Sequence, residues 1–361
     1  MKSGIRLLII FCMIYFIRCS DYSSVFNNVI ENEKIRPFGI VLDPPEAAPG
    51  DTVKIKLHFY NAQKKNITIS WKISLNCYLD KYGLYTIEDE IRNLDSMVLP
   101  GGNQLEFSFI VPTGVNNPLL LSSMIPDSIP ISGMGIKKSD LITMFDTSQA
   151  LSQECRQYID KFLSFVLITA TIKSNIEIDI IKKLTIRYSN KISSTQDFIS
   201  NTNRNTRIDS IGVISVNTKN INNPKDIGSF AADTQYFSSD TSVVDTFIVD
   251  ENHSYFLVTD TIGAAQLYRS RKTNGVLKEI LYYNWFYTNL DNTGSDWDKL
   301  IEIGADNSDS FMNTIKLTVP EDKDMHNFKI YLFLTDWRPE WGNVYGAGSA
   351  FAEVNGYFKF Q

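Results

Sequence analysis

Apolar and polar residues alternate strictly from Thr52 to Phe59, inside the longer segment FGIVLDPPEAAPGDTVKIKLHF that begins at Phe38. The apolar side consists of Val53, Ile55, Leu57 and Phe59, and the polar side of Thr52, Lys54, Lys56 and His58. A period of two is typical of a strand with one face on a core and the other in water. The prolines between the two apolar runs have no amide hydrogen and end the first strand. We therefore predict that this strand pair enters a β-sandwich at its edge.

The same alternation predicts further strands at Ile67–Leu75 and Leu105–Val111. A near-continuous apolar, β-branched run at Phe162–Ile172 and the strand-like segment Ile176–Tyr188 predict a closing hairpin. Trp71, in the middle of the first of these strands, is expected to fill the space between two sheets. Pro112–Ile136 is rich in turn residues and predicts a loop insertion. Ser139–Asp160 has helical spacing and predicts a short helix. Together these elements indicate a first domain at 36–189.

The segment 190–207 is dominated by Ser, Thr, Asn and charged residues, a composition that indicates a linker. A second domain is predicted at 208–361. Its seven expected strands are Ile211–Val216, Ser242–Val249, Ser254–Thr259, Leu277–Thr288, Thr314–Val319, Phe328–Thr335 and Ser349–Phe360. Tyr283, Trp285 and Tyr287 share one face of a strand. The ending NTIKLTVP repeats the ending QLEFSFIVP of the first domain, which predicts a diverged tandem repeat.

The N-terminal residues 1–19 are typical of a signal peptide. Lys2 and Arg6 precede an apolar run from Leu7 to Ile17. This run is shorter than the roughly 20 residues that a transmembrane helix needs. Cys19 follows it, and 20–35 is expected to be a polar tether.

A cysteine at the end of a short apolar run resembles the acylated cysteine of bacterial lipoproteins. In addition, DPPEAAPGDTV, a Trp-bearing strand ending in a cysteine and a late cysteine before the last hairpin are similar to uncharacterised bacterial envelope lipoproteins with immunoglobulin-like domains. The resemblance implies lipidation, with palmitate for example, at Cys19. It also implies an anchor at the outer membrane, on the cell surface or on its periplasmic face. Because Arg18 stands where that family has a small residue, a soluble exported chain and an uncleaved anchor stay open as alternatives.

The expected fold class is therefore all-β, with two tandem immunoglobulin-like β-sandwich domains, the first carrying the loop and short-helix insertion. Once Cys19 is acylated and Cys12 removed with the signal, Cys77 and Cys155 remain. An even number of cysteines in an oxidising compartment predicts a disulfide between them. Two buried free thiols are the alternative.

The charge balance excludes a nucleic-acid-binding role. The chain has a net charge of −6. Without Lys2, Arg6 and Arg18, 32 of its 35 basic residues remain against 41 acidic ones, a net charge of about −9. Nucleic-acid binding requires a basic surface. The acidic balance is typical of an exported protein kept in solution by its charge.

The sequence contains no recognisable catalytic motif. His58, His253 and His326 are far apart and have no ligand-spaced partners, so no metal or cofactor is expected. A loop at 291–309 holds the acidic residues Asp291, Asp296, Asp298, Asp306 and Asp309. Such oxygen donors suit calcium, but their spacing favours solvated side chains. An enzyme or accessory subunit with a carboxylate site in the second domain stays open.

A second loop, TDWRPEWGNVYG from Thr335 to Gly346, is the best candidate for binding. It carries Trp337, Arg338, Glu340, Trp341 and Tyr345. Aromatic residues on a loop stack on sugar rings or anchor protein partners. They also pack over sheet edges, which is the structural alternative. We expect a noncatalytic, membrane-tethered module that presents this loop to a protein partner, with carbohydrate binding as the next hypothesis.

Overall fold

A computed structural model describes the residues 35–61, 66–74, 78–79, 85–86, 96–111, 128–131, 134–137, 165–186, 203–217, 234–238, 240–260, 265–269, 275–289, 301–304, 314–317, 326–337 and 348–361. All regular elements within these ranges are β-strands. We call the strands up to residue 186 the N-terminal half and those from residue 210 the C-terminal half.

The strands of the N-terminal half are β1 (Ile35–Asp43), β2 (Glu46–Ala47), β3 (Thr52–Asn61), β4 (Thr68–Ser74), β5 (Tyr78–Leu79), β6 (Tyr85–Thr86), β7 (Ser96–Val98), β8 (Glu106–Ile110), β9 (Ser128–Ile131), β10 (Met134–Lys137), β11 (Phe165–Lys173) and β12 (Glu177–Ile186). Two sheets carry its core, with strand orders β1-β3-β8 and β2-β12-β11-β4-β7. Their inner faces bury apolar side chains that include Leu42, Ile55, Trp71, Ile168 and Leu184.

The strands of the C-terminal half are β13 (Ser210–Val216), β14 (Thr234–Tyr236), β15 (Val244–Val249), β16 (Ser254–Asp260), β17 (Leu267–Arg269), β18 (Val276–Lys278), β19 (Ile280–Asn289), β20 (Ile301–Gly304), β21 (Thr314–Leu317), β22 (His326–Trp337) and β23 (Ser349–Phe360). Its sheets have the orders β14-β13-β16-β21 and β15-β23-β22-β19-β20. A separate core, which includes Val213, Leu257, Trp285, Leu332 and Phe358, lies between them.

The two halves share one strand order. β1-β3-β8 corresponds to β13-β16-β21, and β2-β12-β11-β4-β7 to β15-β23-β22-β19-β20. β2 pairs in parallel with β12, and β15 pairs in parallel with β23. Trp71 on β4 and Trp285 on β19 occupy equivalent strands and are both buried. The strand-then-proline endings that we matched in the sequence also fall on equivalent strands, β8 and β21.

The proline-rich step after β1 moves the chain from one sheet to the other. β1 ends at Asp43, before Pro44 and Pro45, and among the described strands of its sheet it pairs with β3 alone. β2 follows at once and pairs with β12 in the opposite sheet. Asp51 stabilises the next turn by accepting a hydrogen bond from the Ala48 amide at 2.9 Å. The first strand segment therefore closes one side of both sheets.

The all-β prediction is confirmed, and the described sheets are consistent with a β-sandwich. The predicted strands agree with β3, β4, β8, β11 and β12 and with the C-terminal strands β13, β15, β16, β19, β21, β22 and β23. Trp71 lies in the core, and its Nε1 donates to the Gln104 carbonyl at 3.0 Å. The predicted loop insertion Pro112–Ile136 contains one strand of a hairpin, β9, and most of the other, β10. The helix predicted at Ser139–Asp160 lies outside the described residues, as do most of 190–207 and residues 1–34 of the N-terminal signal and tether. Ile35, predicted to end the tether, is the first residue of β1.

Candidate functional site

Most residues that the sequence marked as candidates lie outside the described part of the chain. These are Cys19, Cys77, Cys155, Arg338, Trp341, Tyr345 and the acidic residues Asp291, Asp296, Asp298, Asp306 and Asp309. Trp337 is described through its backbone, which pairs with Ile280 at the end of β22. The prediction that the loop begins at Thr335 is wrong, because β22 stays paired with β19 as far as Trp337. The loop between β22 and β23 is therefore shorter than predicted.

An aromatic cluster joins the two halves at the middle of β22. We call it the aromatic junction. It consists of Phe38, His58 and Tyr60 from the N-terminal half and Phe286, Tyr331, Phe333 and Phe351 from the C-terminal half. The Phe38 ring centroid lies 5.0 Å from that of Phe286 and 4.9 Å from that of Tyr331. Aromatic pairs at such distances add to the stabilisation from burial. The outer faces of two sheets are thus packed together and withdrawn from water.

A β-bulge directs Phe38 into this junction. The register of β1 against β3 shifts between Pro37, opposite Phe59, and Gly39, opposite His58, which leaves Phe38 as the extra residue. A bulge of one residue reverses the side on which the following side chains point. Ile40 and Leu42 consequently face the core of their own half, while Phe38, only 1% exposed, faces the other half.

His58 is a correction to the sequence prediction, which placed it on the water-facing side of β3. Its imidazole stacks on Phe351, with ring centroids 4.0 Å apart and planes inclined by 28°. Burial lowers the pKa of His58 to about 4, and the positive charge of Lys56 acts in the same direction. The Glu106 carboxylate opposes this shift. The residue is neutral over most of the physiological pH range for this reason.

A second contact, which we call the polar junction, lies at the base of the loop between β22 and β23. It consists of Glu46, Lys182, Asn203, Asn205, Asp336, Gly348 and Ser349. The carboxylates of Glu46 and Asp336 are fully buried. The Asn203 amide nitrogen donates to Glu46 Oε2 at 2.5 Å, and Asn203 Nδ2 lies 3.4 Å from Asp336 Oδ1. One asparagine therefore bridges two acidic groups that belong to different halves.

Asn205 extends the polar junction from β1 to β23. Its Nδ2 donates to the Leu42 carbonyl at 2.8 Å, and its Oδ1 accepts from the Ser349 amide at 3.1 Å. Ser349 Oγ also lies 3.4 Å from the Ile40 carbonyl. The residues at 203–205, the end of the predicted linker, are held against both halves by these hydrogen bonds.

Asp336 and Gly348 hold the two ends of the loop together. The Asp336 amide donates to the Gly348 carbonyl, and the Gly348 amide donates to Asp336 Oδ1, both at 3.1 Å. A side chain at 348 would collide with the Asp336 carboxylate and the Arg204 carbonyl. Glycine is required here by space. The two ends of the loop are thus joined in a stem by one hydrogen bond between backbone groups and one to the Asp336 side chain.

Lys182 adds a positive charge to the polar junction. Burial lowers the pKa of its ammonium group, and the nearby Asp336 carboxylate partly offsets this effect. A buried carboxylate needs both hydrogen-bond donors and a compensating charge. Asn203 and Gly348 supply donors to Asp336, and Lys182 supplies a charge. The arrangement is that of a closed structural contact.

No protein-family model matches this chain, and no curated protein matches it. Among the described residues, no three His, Cys, Asp or Glu side chains are grouped so that they could hold a metal ion. Within the same ranges there is no helix of the length and apolar character required to cross a membrane.

Neither junction is predictable from the sequence pattern. Glu46 and Asn203 are separated by 157 positions, and Asn203 and Asp336 by 133. No local pattern connects such distant polar residues. Phe38 and Phe351 offer a weak signal. Both are apolar residues on strands whose other face is already buried in a core, which indicates that the outer face is covered as well. Chemically, the two junctions can fix the angle between the halves and the position of the loop stem.

Proposed function

We propose that the chain is a noncatalytic envelope protein that holds the loop between β22 and β23 at a fixed position for recognition by a protein partner. The observation that carries this proposal is the stem formed by Asp336 and Gly348. Its hydrogen bonds are buried within the polar junction. A preorganised loop binds with a smaller loss of conformational entropy than a free one. Function is expected on such a loop because rigid frameworks place binding residues there.

We further propose that each half is an immunoglobulin-like domain and that the two arose as a tandem repeat. Support comes from the shared strand order and from the buried tryptophans on equivalent strands, Trp71 and Trp285. In that fold, two antiparallel sheets pack face to face and expose loops at their ends. We propose in addition that the first domain carries the loop and short-helix insertion. Such domains present binding loops without requiring a catalytic centre.

The loop proposal is tested by site-specific cross-linking in cells that produce the protein. A photoreactive residue is placed at Asn343, between Trp341 and Tyr345. We expect cross-linked protein partners that disappear in the double variant Trp341→Ala, Tyr345→Ala. Tyr236→Ala is a matched control, because Tyr236 is an exposed aromatic residue on β14.

Cross-links that are the same in the double variant and the wild type would contradict recognition through this loop. Binding of the purified protein to a glycan array, lost in the double variant, would instead favour the carbohydrate alternative. Both measurements use the intact chain. Circular dichroism of each variant shows whether it is folded, and this separates a failure of the loop proposal from a failure of folding.

We also propose that Cys19 is acylated and tethers the protein to the bacterial envelope. The proposal is supported by the apolar run before Cys19 and the polar residues after it. Metabolic labelling with radioactive palmitate should mark the wild type and leave Cys19→Ala unlabelled. Cys12→Ala is the control and should keep the label. An unlabelled wild type would contradict the anchor without affecting the loop proposal.

A further inference from the structure

His58 occupies a position that matters for more than the stability of one strand. It lies on β3 of the N-terminal half, and the ring beneath it, Phe351, lies on β23 of the C-terminal half. Phe351 also contacts Phe38, with ring centroids 5.5 Å apart. The imidazole is thus the one ionisable ring among the described histidines that is stacked across the two halves.

We propose that His58 is a proton-operated release of the contact between the two halves. A neutral imidazole packs on Phe351 and keeps the aromatic junction closed. A protonated imidazole places a positive charge in that contact and favours separation of the halves. This inference goes beyond the proposed recognition role and does not depend on it.

The physical basis is the loss of hydration when the junction closes over His58. A charged group is disfavoured when it is moved from water into an apolar contact. An imidazolium stacked on Phe351 would gain some cation–π attraction. Burial of the imidazole and the positive charge of the neighbouring Lys56 act against protonation and lower the pKa of His58 to about 4.

Other charged and titratable groups on the strands of the junction do not reverse the downward shift of the His58 pKa. They are Arg36 and Asp43 on β1, Lys54, Lys56 and Tyr60 on β3, Glu106 on β8, Lys329 and Tyr331 on β22, and Glu353 on β23. Glu106 is already engaged by Lys54 at 2.5 Å and Lys56 at 3.6 Å. Glu353 is engaged by Lys329 at 2.8 Å. Arg36 lies over the Phe286 ring, 5.0 Å from its centroid, and adds a further positive charge.

Linkage fixes the pH range of the effect. An exposed histidine has a pKa near 6.5, and His58 in the closed junction has a pKa of about 4. The open form therefore binds more protons between these values, and closure weakens as the pH falls through that range. From pH 7.5 to pH 5, the closing equilibrium should fall by roughly thirtyfold.

The test is amide hydrogen exchange of the intact protein, corrected for the intrinsic pH dependence of exchange. The reporters are the amides of Asn203 and Ser349, because both donate across the polar junction. The reference amides are those of Ile168 on β11 and Leu332 on β22, which lie in the two separate cores. We expect the reporters to lose roughly thirtyfold more protection than the references between pH 7.5 and pH 5.

Variants assign this loss to His58. His58→Phe keeps a stacked ring and removes the proton site, and His58→Gln removes it in a smaller side chain. Both should abolish the differential loss, whereas His253→Gln, on the turn after Asp250, should retain it. The residues of the polar junction are the same in all of these proteins, so the difference between wild type and variants isolates His58.

Three results would overturn the proposal. The first is an equal loss of protection in His58→Phe and the wild type. The second is a simultaneous loss at the reference amides, which would mean global unfolding. The third is a ring titration of His58, followed by NMR, with its midpoint at or above pH 6.5. A midpoint near pH 4 with the differential loss present in the wild type alone supports it.

Discussion

At the scale of single residues, Phe38 and Gly39 set the contact between the halves. The bulge turns Phe38 outward, and Gly39 follows with a φ of 152°, a conformation that favours glycine. A Cβ atom at Gly39 would lie 2.5 Å from Cζ of Phe333 in the other half. The backbone of β1 therefore approaches the opposing ring as closely as the chain allows.

We predict that Gly39→Ala reduces the free energy of unfolding by roughly 2–4 kcal/mol, through backbone strain and overpacking. The matched control is Gly50→Ala. Gly50 also has a positive φ, 88°, but a Cβ atom added there would have no neighbour within 4 Å, so only strain of about 1 kcal/mol is expected. Urea unfolding measures both. Equal losses in the two variants would contradict the close approach at Gly39.

At the scale of elements, period-two alternation was sufficient to predict the long strands. It works because one face of each strand is buried, as in β3, where Val53, Ile55 and Leu57 are all core residues. It missed the short strands β2, β14, β17 and β20, which offer too few residues for a pattern. Alternation also predicts that His58 faces water. It distinguishes the two faces of β3 but carries no information about what covers the outer face.

The polar junction was beyond sequence reasoning for a different reason. Asn203 and Asn205 lie in a polar segment whose composition is typical of a linker. Asn203 is hydrogen-bonded to Glu46 and Asp336, which lie in different halves and are far from it in the sequence. Local propensity carries no information about such contacts. The candidate loop was found from its aromatic residues, whereas its stem was not.

We predict that Asn205→Ala destabilises the protein by roughly 1–3 kcal/mol, because it leaves the Leu42 carbonyl and the Ser349 amide without their side-chain partner. These groups belong to β1 and β23, so the loss acts between elements. Asn252→Ala, at an exposed turn position, is the control and should change little. Chemical denaturation compares the two, and indistinguishable midpoints would argue against a role for Asn205 in joining the strands.

At the scale of the whole molecule, the two junctions connect cores that are separate clusters among the described residues. The aromatic junction packs the sheet β1-β3-β8 against the sheet that contains β19, β22 and β23. The polar junction adds hydrogen bonds from 203–205 to both halves. Unfolding of one half therefore exposes apolar and polar groups of the other.

This coupling predicts a single calorimetric transition for the wild type. Phe38→Ala removes the central ring of the aromatic junction and should split the transition into two. Leu42→Ala removes a side chain of similar burial from the N-terminal core, on the same strand. It should lower the melting temperature and keep one transition. One transition in both variants would show that Phe38 does not couple the halves.

The parallel pairing of β2 with β12 and of β15 with β23 has a consequence for synthesis. Each pair joins an early strand of a half to its last strand, and translation proceeds from the N-terminus. The nascent N-terminal half keeps an open sheet edge until Glu177–Ile186 has emerged from the ribosome. The C-terminal half stays open until Ser349–Phe360 is made. An open edge is a site of aggregation, so the interval between these events is when the growing chain most needs protection by chaperones.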